Sequence, residues 1–183
     1  MQIYLDAGHG GADPGAVAND YLEKDFTLQI SLYQKQRFET HGIEVIMSRV
    51  EDVEPNLTDR MLEARKLNSL SVSNHINAGV GRGFEVWKSV RFDTEWPEMI
   101  INEIVNLGII SRGIKTKPST KYSGYDYFAM NNTYPTEGLI VEYGFIDSDD
   151  INVLINKWEE MAEAVVKATV EYLGIKYYEV GGN

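Results

Sequence analysis

The chain has 183 residues, 43% of them apolar, with 28 acidic against 17 basic side chains for a formal charge of −11. One substantial core fits that length, no run of about 18 apolar residues is present to span a bilayer, and the acidic balance argues against a nucleic-acid or anionic-membrane binder, which needs a basic face. The absence of cysteine excludes disulfides, thiolate metal sites and cysteine nucleophiles together.

Met1–Asp6 carries neither a basic segment nor a long apolar stretch, so no secretory signal is expected here. Gln2–Asp6 reads as a short central strand and is followed by a glycine-rich loop through Gly15. Glu23–Thr40 reads as a helix whose buried face follows Phe26, Ile30 and Tyr33, widened by Leu28 and Leu32, with His41-Gly42 as its stop. Ile43–Met47 is a second strand. Thr58 is the expected N-cap of a helix reaching about Asn68, with Leu57 stapled against Leu62. Further strands are expected at Leu70–Asn74, Gly83–Ser89, Tyr125–Met130 and Gly138–Gly144, and a helix around Pro97–Ile110. Asp150–Leu173 carries one broken or two consecutive helices, with Trp158, Met161, Val165, Val166 and Val170 as core. This β-α-β order predicts a three-layer α/β fold, a mostly parallel twisted sheet of about six strands with helices on both faces. Residues 1–175 form one domain, and 176–183 read as a tail or the start of a linker.

Ligand sites in such folds gather at the carboxyl ends of the strands. Two of the three histidines fall there: His9 in Ala7-Gly8-His9-Gly10-Gly11 and His75 in Ser73-Asn74-His75-Ile76-Asn77. A histidine in either context is ordinarily a loop or strand-end residue satisfied by its neighbours. The surrounding glycines and asparagines shift the reading towards a site, since glycine lets backbone approach a ligand closely. His41, at a helix C-terminus, is read as structural.

Two histidines without cysteine call for a carboxylate as third ligand, as in hydrolytic zinc centres. Glu23 opens the first helix just after the His9 loop and is the leading candidate, although acidic residues are common in first helical turns. Asp6 and Asp13 stay open as alternatives, while Lys24 and Asp25 read as solvated. Glu142 interrupts the apolar run Gly138–Ile146, where a charge is costly unless paired, protonated or beside a metal. It reads as a general base delivered to the same sheet edge. Tyr122, Tyr125, Tyr127 and Phe128 are expected to pack, and Arg49 and Arg60 to pair with acidic loops or substrate carboxylates.

Several of these segments together resemble the type-3 N-acetylmuramoyl-L-alanine amidases. They are Leu5–Ala16, Glu23–Leu28, Ser48-Arg49 with Leu57–Arg60, Ser73–Ala78 and Val141–Ile146, in order along residues 2 to 173. No single motif is specific, but the ordered combination is. The resemblance implies hydrolysis of the amide between N-acetylmuramic acid and L-alanine of the peptidoglycan stem. It implies Zn2+ held by His9, Glu23 and His75, with Glu142 moving the proton, and a monomer acting on the bacterial cell wall. Two positions depart from the pattern: Ala7 stands for a usual proline, and Asn74 for a small aliphatic residue. The segment from Gly83 to Gly138 is too short for the regulatory helix that covers the zinc in some members, so an open site is expected. The alternatives are a zinc peptidase cutting elsewhere in the stem and a non-catalytic wall-binding module. The tail suggests a further wall-binding domain beyond residue 183.

Overall fold

The computed structural model describes residues 1–181. Its centre is a six-stranded sheet of β1 (Gln2–Ala7), β4 (Glu44–Met47), β5 (Leu70–Asn77), β6 (Phe84–Lys88), β7 (Ser111–Lys115) and β8 (Glu137–Phe145), in the order β4-β1-β5-β8-β6-β7. The first four strands in that order run parallel. β6 turns antiparallel to β8, and β7 runs parallel to β6. The two-residue strands β2 (Val17–Ala18) and β3 (Tyr21–Leu22) pair separately ahead of the first helix.

Alternation along the strands decides what each face buries. Ile3, Leu5, Val72, Ile76, Val86 and Val141 belong to the main core, beneath α1 (Glu23–Thr40), α3 (Glu95–Asn106) and α4 (Asp150–Tyr172). The opposite face carries a smaller cluster of Tyr4, Ile140 and Trp87, covered by Ala64 and Met61 of α2 (Leu57–Lys66) and by Met130 of the short 3-10 turn Ala129–Asn131. Helices on both faces match the expected layering. The first turn of α2 reaches the strand C-termini, where Leu57 and Arg60 line a cavity with His9 and His75.

Several local expectations change. The N-cap of α2 is Asn56, whose Oδ1 accepts from the Thr58 N–H at 2.8 Å, and Leu57 and Leu62 are exposed rather than stapled. On α1, Leu32 is exposed, and the buried face runs through the polar Thr27, Ser31 and Gln34 to Phe38. α4 is one unbroken helix. Tyr125–Met130 is not a strand: Asp126 turns inward to accept from Ser89 Oγ and the Val90 N–H, while Asn132 takes up the Asp126 N–H. Tyr122, Tyr125 and Tyr127 are exposed there, and only Phe128 packs, edge-on to Trp87. The sixth strand is instead β7, hidden in Ser111-Arg112-Gly113-Ile114-Lys115.

The expected loose tail docks through Tyr178. Tyr177 stacks on His41 and donates to Glu163, and the Tyr178 N–H donates to His41 Nε2 at 3.0 Å. His41 thus bridges the end of α1 to this segment, a structural role. The last two residues of that tail lie outside the described residues. No described helix is long and apolar enough to cross a membrane.

Candidate metal centre and active site

The parallel strands end together, and each contributes one element of the site. β1 leads into Gly8 and His9, with the Gly8 N–H bonded to the Asn74 carbonyl. His9 sits at φ +61°, in the left-handed region that non-glycine residues seldom occupy. What holds it there is Arg49. This buried guanidinium donates to the carbonyls of Ala7, Gly8, Lys24 and Glu51 and to Thr27 Oγ1, at 2.8–3.2 Å. Lys24, expected to be solvated, adds a second tie through Gly11 O and Asp52.

Glu23, the first residue of α1, is 3% exposed and reaches over the sheet edge. Its Oε1 lies 3.2 Å from His9 Nε2 and 2.9 Å from His75 Nδ1, and accepts from the Ile76 N–H; its Oε2 accepts from the Ala16 N–H. One donor atom from each of His9, Glu23 and His75 falls within 4.8 Å of the other two. Asp13 is not part of this set. Its Oδ2 lies 2.7 Å from His9 Nδ1, the outer-shell contact that fixes ring orientation and tautomer in metal sites. Asp6 is fully buried against Arg60 and Ser73 Oγ and is structural. Arg49 is therefore committed inside the protein, while Arg60 bonds Asp6 through Nη1 and keeps a buried Nε without a partner.

The electrostatics suit a cation. Burial works against a charged His9 ring, but Glu23 and Asp13 outweigh it and lift the imidazole to about 9. The same contest lifts His75, through Glu23. Burial alone would raise Glu23, yet the two imidazoles hold its carboxyl well below the usual range. An anionic carboxylate between two nitrogen donors, with no thiolate, fits Zn2+.

Glu142 lies in register with His75 on the neighbouring strand, so both side chains rise from the same face. Burial pushes its carboxyl up to about 7, with His75 opposing and Glu23 and Glu85 adding to the rise. Its Oε2 is buried with no hydrogen-bond partner. Arg60 Nε, Ser71 Oγ and Glu137 Oε1 are buried without a partner as well; what sets Glu142 apart is that its free oxygen lies in register with His75 at the histidine-rich sheet edge, where it can accept from a ligand.

The glycines around His9 serve packing. A Cβ on Gly8 would come within 2.7 Å of the His75 ring and the Asn74 carbonyl, and one on Gly15 within 2.8 Å of Glu23 Oε2 and the His9 ring. The site is open: the His9 and His75 side chains are 26% and 20% exposed, and the helix from the Gly83–Gly138 segment packs on the far face. The residues missed in the sequence are Asp13 in its supporting role and Glu85, a buried carboxylate one strand beyond Glu142. The alternation Phe84-Glu85-Val86 carried the signal, since it turns Glu85 to the face opposite the core.

A model of the N-acetylmuramoyl-L-alanine amidase family matches residues 3–173. A sporulation-specific N-acetylmuramoyl-L-alanine amidase of Bacillus subtilis (strain 168) is 33% identical, over 84% of this chain and 60% of its own length. An endolysin of Bacillus phage SPP1 is also 33% identical, over 95% of this chain and 66% of its own. The chain thus spans less than two-thirds of the length of either relative. Among solved structures, the N-acetylmuramoyl-L-alanine amidase AmiC2 of Nostoc punctiforme superposes with a TM-score of 0.77 at 26% identity, over 95% of this chain and 97% of that one.

Proposed function

Because the chain belongs to the N-acetylmuramoyl-L-alanine amidase family, we propose that it hydrolyses the amide joining N-acetylmuramic acid to L-alanine of the peptidoglycan stem and so opens bacterial cell wall. The observation that carries this reading is the convergence of His9, Glu23 and His75 beside the unpartnered Glu142 carboxylate. These come from four separate segments of chain, and structural packing alone gives no reason to assemble them.

His9, Glu23 and His75 would hold Zn2+, which when bound supplies Lewis acidity to the scissile carbonyl and lowers the pKa of water. Everything else is done by the protein. Asp13 on His9 Nδ1 and the Ile76 and Ala16 amides on Glu23 fix the ligand side chains before metal arrives. Glu142 has a free acceptor oxygen and a carboxyl raised to about 7, which suits one group to take a proton and give it back. It accepts the proton of the attacking water and returns it to the departing alanine nitrogen.

The test is Glu142→Ala. Cell-wall hydrolysis is expected to fall by about 10²–10⁴-fold while zinc stays stoichiometric by metal analysis. Near-wild-type hydrolysis by that variant would overturn the assignment. Mass spectrometry of the products fixes the bond cut: an amidase frees the whole stem with an N-terminal L-alanine, whereas a stem peptidase leaves alanine on the muramyl lactate. Binding without any product would leave only a wall-binding module.

A further inference from the structure

The open face of the sheet holds one more buried carboxylate than this chemistry uses. Glu85 on β6 pairs with Glu142 across the antiparallel ladder and is 2% exposed. Its Oε2 accepts from Arg112 Nε and Lys115 Nζ, both at 2.6 Å. Its Oε1 accepts from Trp87 Nε1 at 3.0 Å and Asn77 Nδ2 at 3.1 Å. Burial opposes its charge, but these donors outweigh burial and keep it ionised.

Two cations on one carboxylate leave a surplus positive charge, in a chain of net charge −11. Both also remain within reach of solvent, with side chains 38% and 27% exposed. Arg112 commits only Nε to Glu85, and among the described residues its two terminal nitrogens have no hydrogen-bond partner. Its guanidinium lies 5.0 Å from the Phe145 ring centroid, and Lys115 Nζ lies 5.6 Å from that of Trp87. These aromatic contacts and Glu85 hold the pair in place, so little side-chain freedom remains to be lost on binding an anion.

Resting on the amidase reading, we infer that Arg112 and Lys115, positioned by Glu85, form a subsite for a free carboxylate of the stem peptide next to the scissile amide. A guanidinium fork with its outer donors free is the natural partner of a carboxylate. Across the sheet from the His9, Glu23 and His75 centre, this pair of cations is held on Glu85, one strand beyond Glu142, where an anionic group flanking the scissile amide would meet it. The subsite makes the enzyme selective for stems whose acidic residue is not amidated.

The experiment uses the whole chain loaded with zinc and two disaccharide-peptides that differ only at the second stem residue, one with a free α-carboxylate and one with its amide. Wild-type protein is expected to favour the carboxylate by about tenfold or more in kcat/KM. Arg112→Gln and Lys115→Met should each remove most of that preference, raising KM for the carboxylate substrate by several-fold more than for the amide substrate. Lys115→Arg should retain the preference. Equal cleavage of the two substrates by wild type overturns the subsite, as does an equal loss on both substrates in the variants, which marks mere support of Glu85. If Arg112→Gln or Lys115→Met loses its cooperative thermal transition, Arg112→Lys decides: it keeps the charge but loses the fork, so the preference for the carboxylate should fall, and an unchanged preference overturns the subsite. Failure of wild type to free the stem from either substrate sinks the amidase reading, and this inference with it.

Discussion

Two buried polar clusters sit one residue apart on the same two strands, on opposite faces of the sheet. Towards α1, Asn74 Nδ2 donates to Ser31 Oγ and Gln34 Oε1, Gln34 Nε2 donates to Tyr143 Oη, and the Tyr143 hydroxyl donates to Asn74 Oδ1. All four residues are at most 1% exposed, and the ring of bonds closes on itself. On the other face, His75 and Glu142 occupy the next positions, and there a carboxylate oxygen is left with nothing to bind. A satisfied network rigidifies; an unsatisfied one stores reactivity. Asn74, which departs from the family pattern, belongs to the first kind, while the neighbouring His75 belongs to the second.

The sharpest way to break the comparison is to place leucine on each side. Glu142→Leu is expected to lower turnover by about 10²–10⁴-fold yet leave the thermal midpoint unchanged or raised, because an unpaired buried carboxylate is relieved. A large drop in that midpoint would mean that Glu142 is structural. Asn74→Leu should do the reverse. Removing one partner strands the Tyr143 hydroxyl and Gln34, costing about 2–4 kcal/mol in denaturant unfolding, with the pH profile of the surviving activity unmoved. A shifted profile would show that the two networks communicate.

A smaller effect separates how the clusters are held. The ring around Asn74 needs no proton exchange, whereas in the metal-free centre the Glu23 carboxylate favours the protonated form of both imidazoles and lifts His9 to about 9. Zinc binding at pH 7 should release at least the proton carried by His9, whose imidazole is lifted to about 9, read by calorimetry in buffers of different ionisation enthalpy. Release of none would contradict the raised imidazoles. The smallest effect lies at the far end of α1. There Glu163 accepts from Arg37, Tyr33 and Tyr177, and these bonds outweigh burial to hold its carboxyl below the ordinary 4.5. Since the unfolded chain binds that proton more readily, the stabilisation is present above about pH 4.5 and is lost as pH falls through the lower folded value. Glu163→Gln should cost about 1–2 kcal/mol at pH 7 and progressively less in acid. An equal cost at both pH values would point to packing instead.

The candidate site was more legible in the sequence than the sheet edge, for physical reasons. His9, His75 and Glu142 announce themselves because each interrupts or ends an apolar strand, where a polar group must be explained. Glu23 was legible through its place after the glycine loop. The supporting shell was not, since Asp13 looks the same in sequence whether it touches a metal or the back of an imidazole. The parallel core strands follow from short apolar stretches such as Ile3-Tyr4-Leu5, Val45-Ile46-Met47 and Leu139-Ile140-Val141. β7 escaped because an edge strand needs no apolar continuity, and its Arg112, Gly113 and Lys115 read as loop. The stretch Tyr125–Met130 misled in the opposite sense: its aromatic content suits a strand, but Asp126 and Asn132 redirect its backbone into turns through side-chain bonds.

Arg49 has a consequence for the proposed metal centre when it is empty. A guanidinium stays charged at any working pH, so the clip that bends the His9 loop is indifferent to chelators and to mild acid. Stripping the metal should therefore leave an intact binding cage, and inactivation should be fully reversible. Activity is expected to return within the time of mixing when zinc is restored to chelated protein, with no refolding lag in stopped-flow turnover. A slow recovery would mean that the loop collapses once emptied, and that Arg49 holds less than its contacts imply.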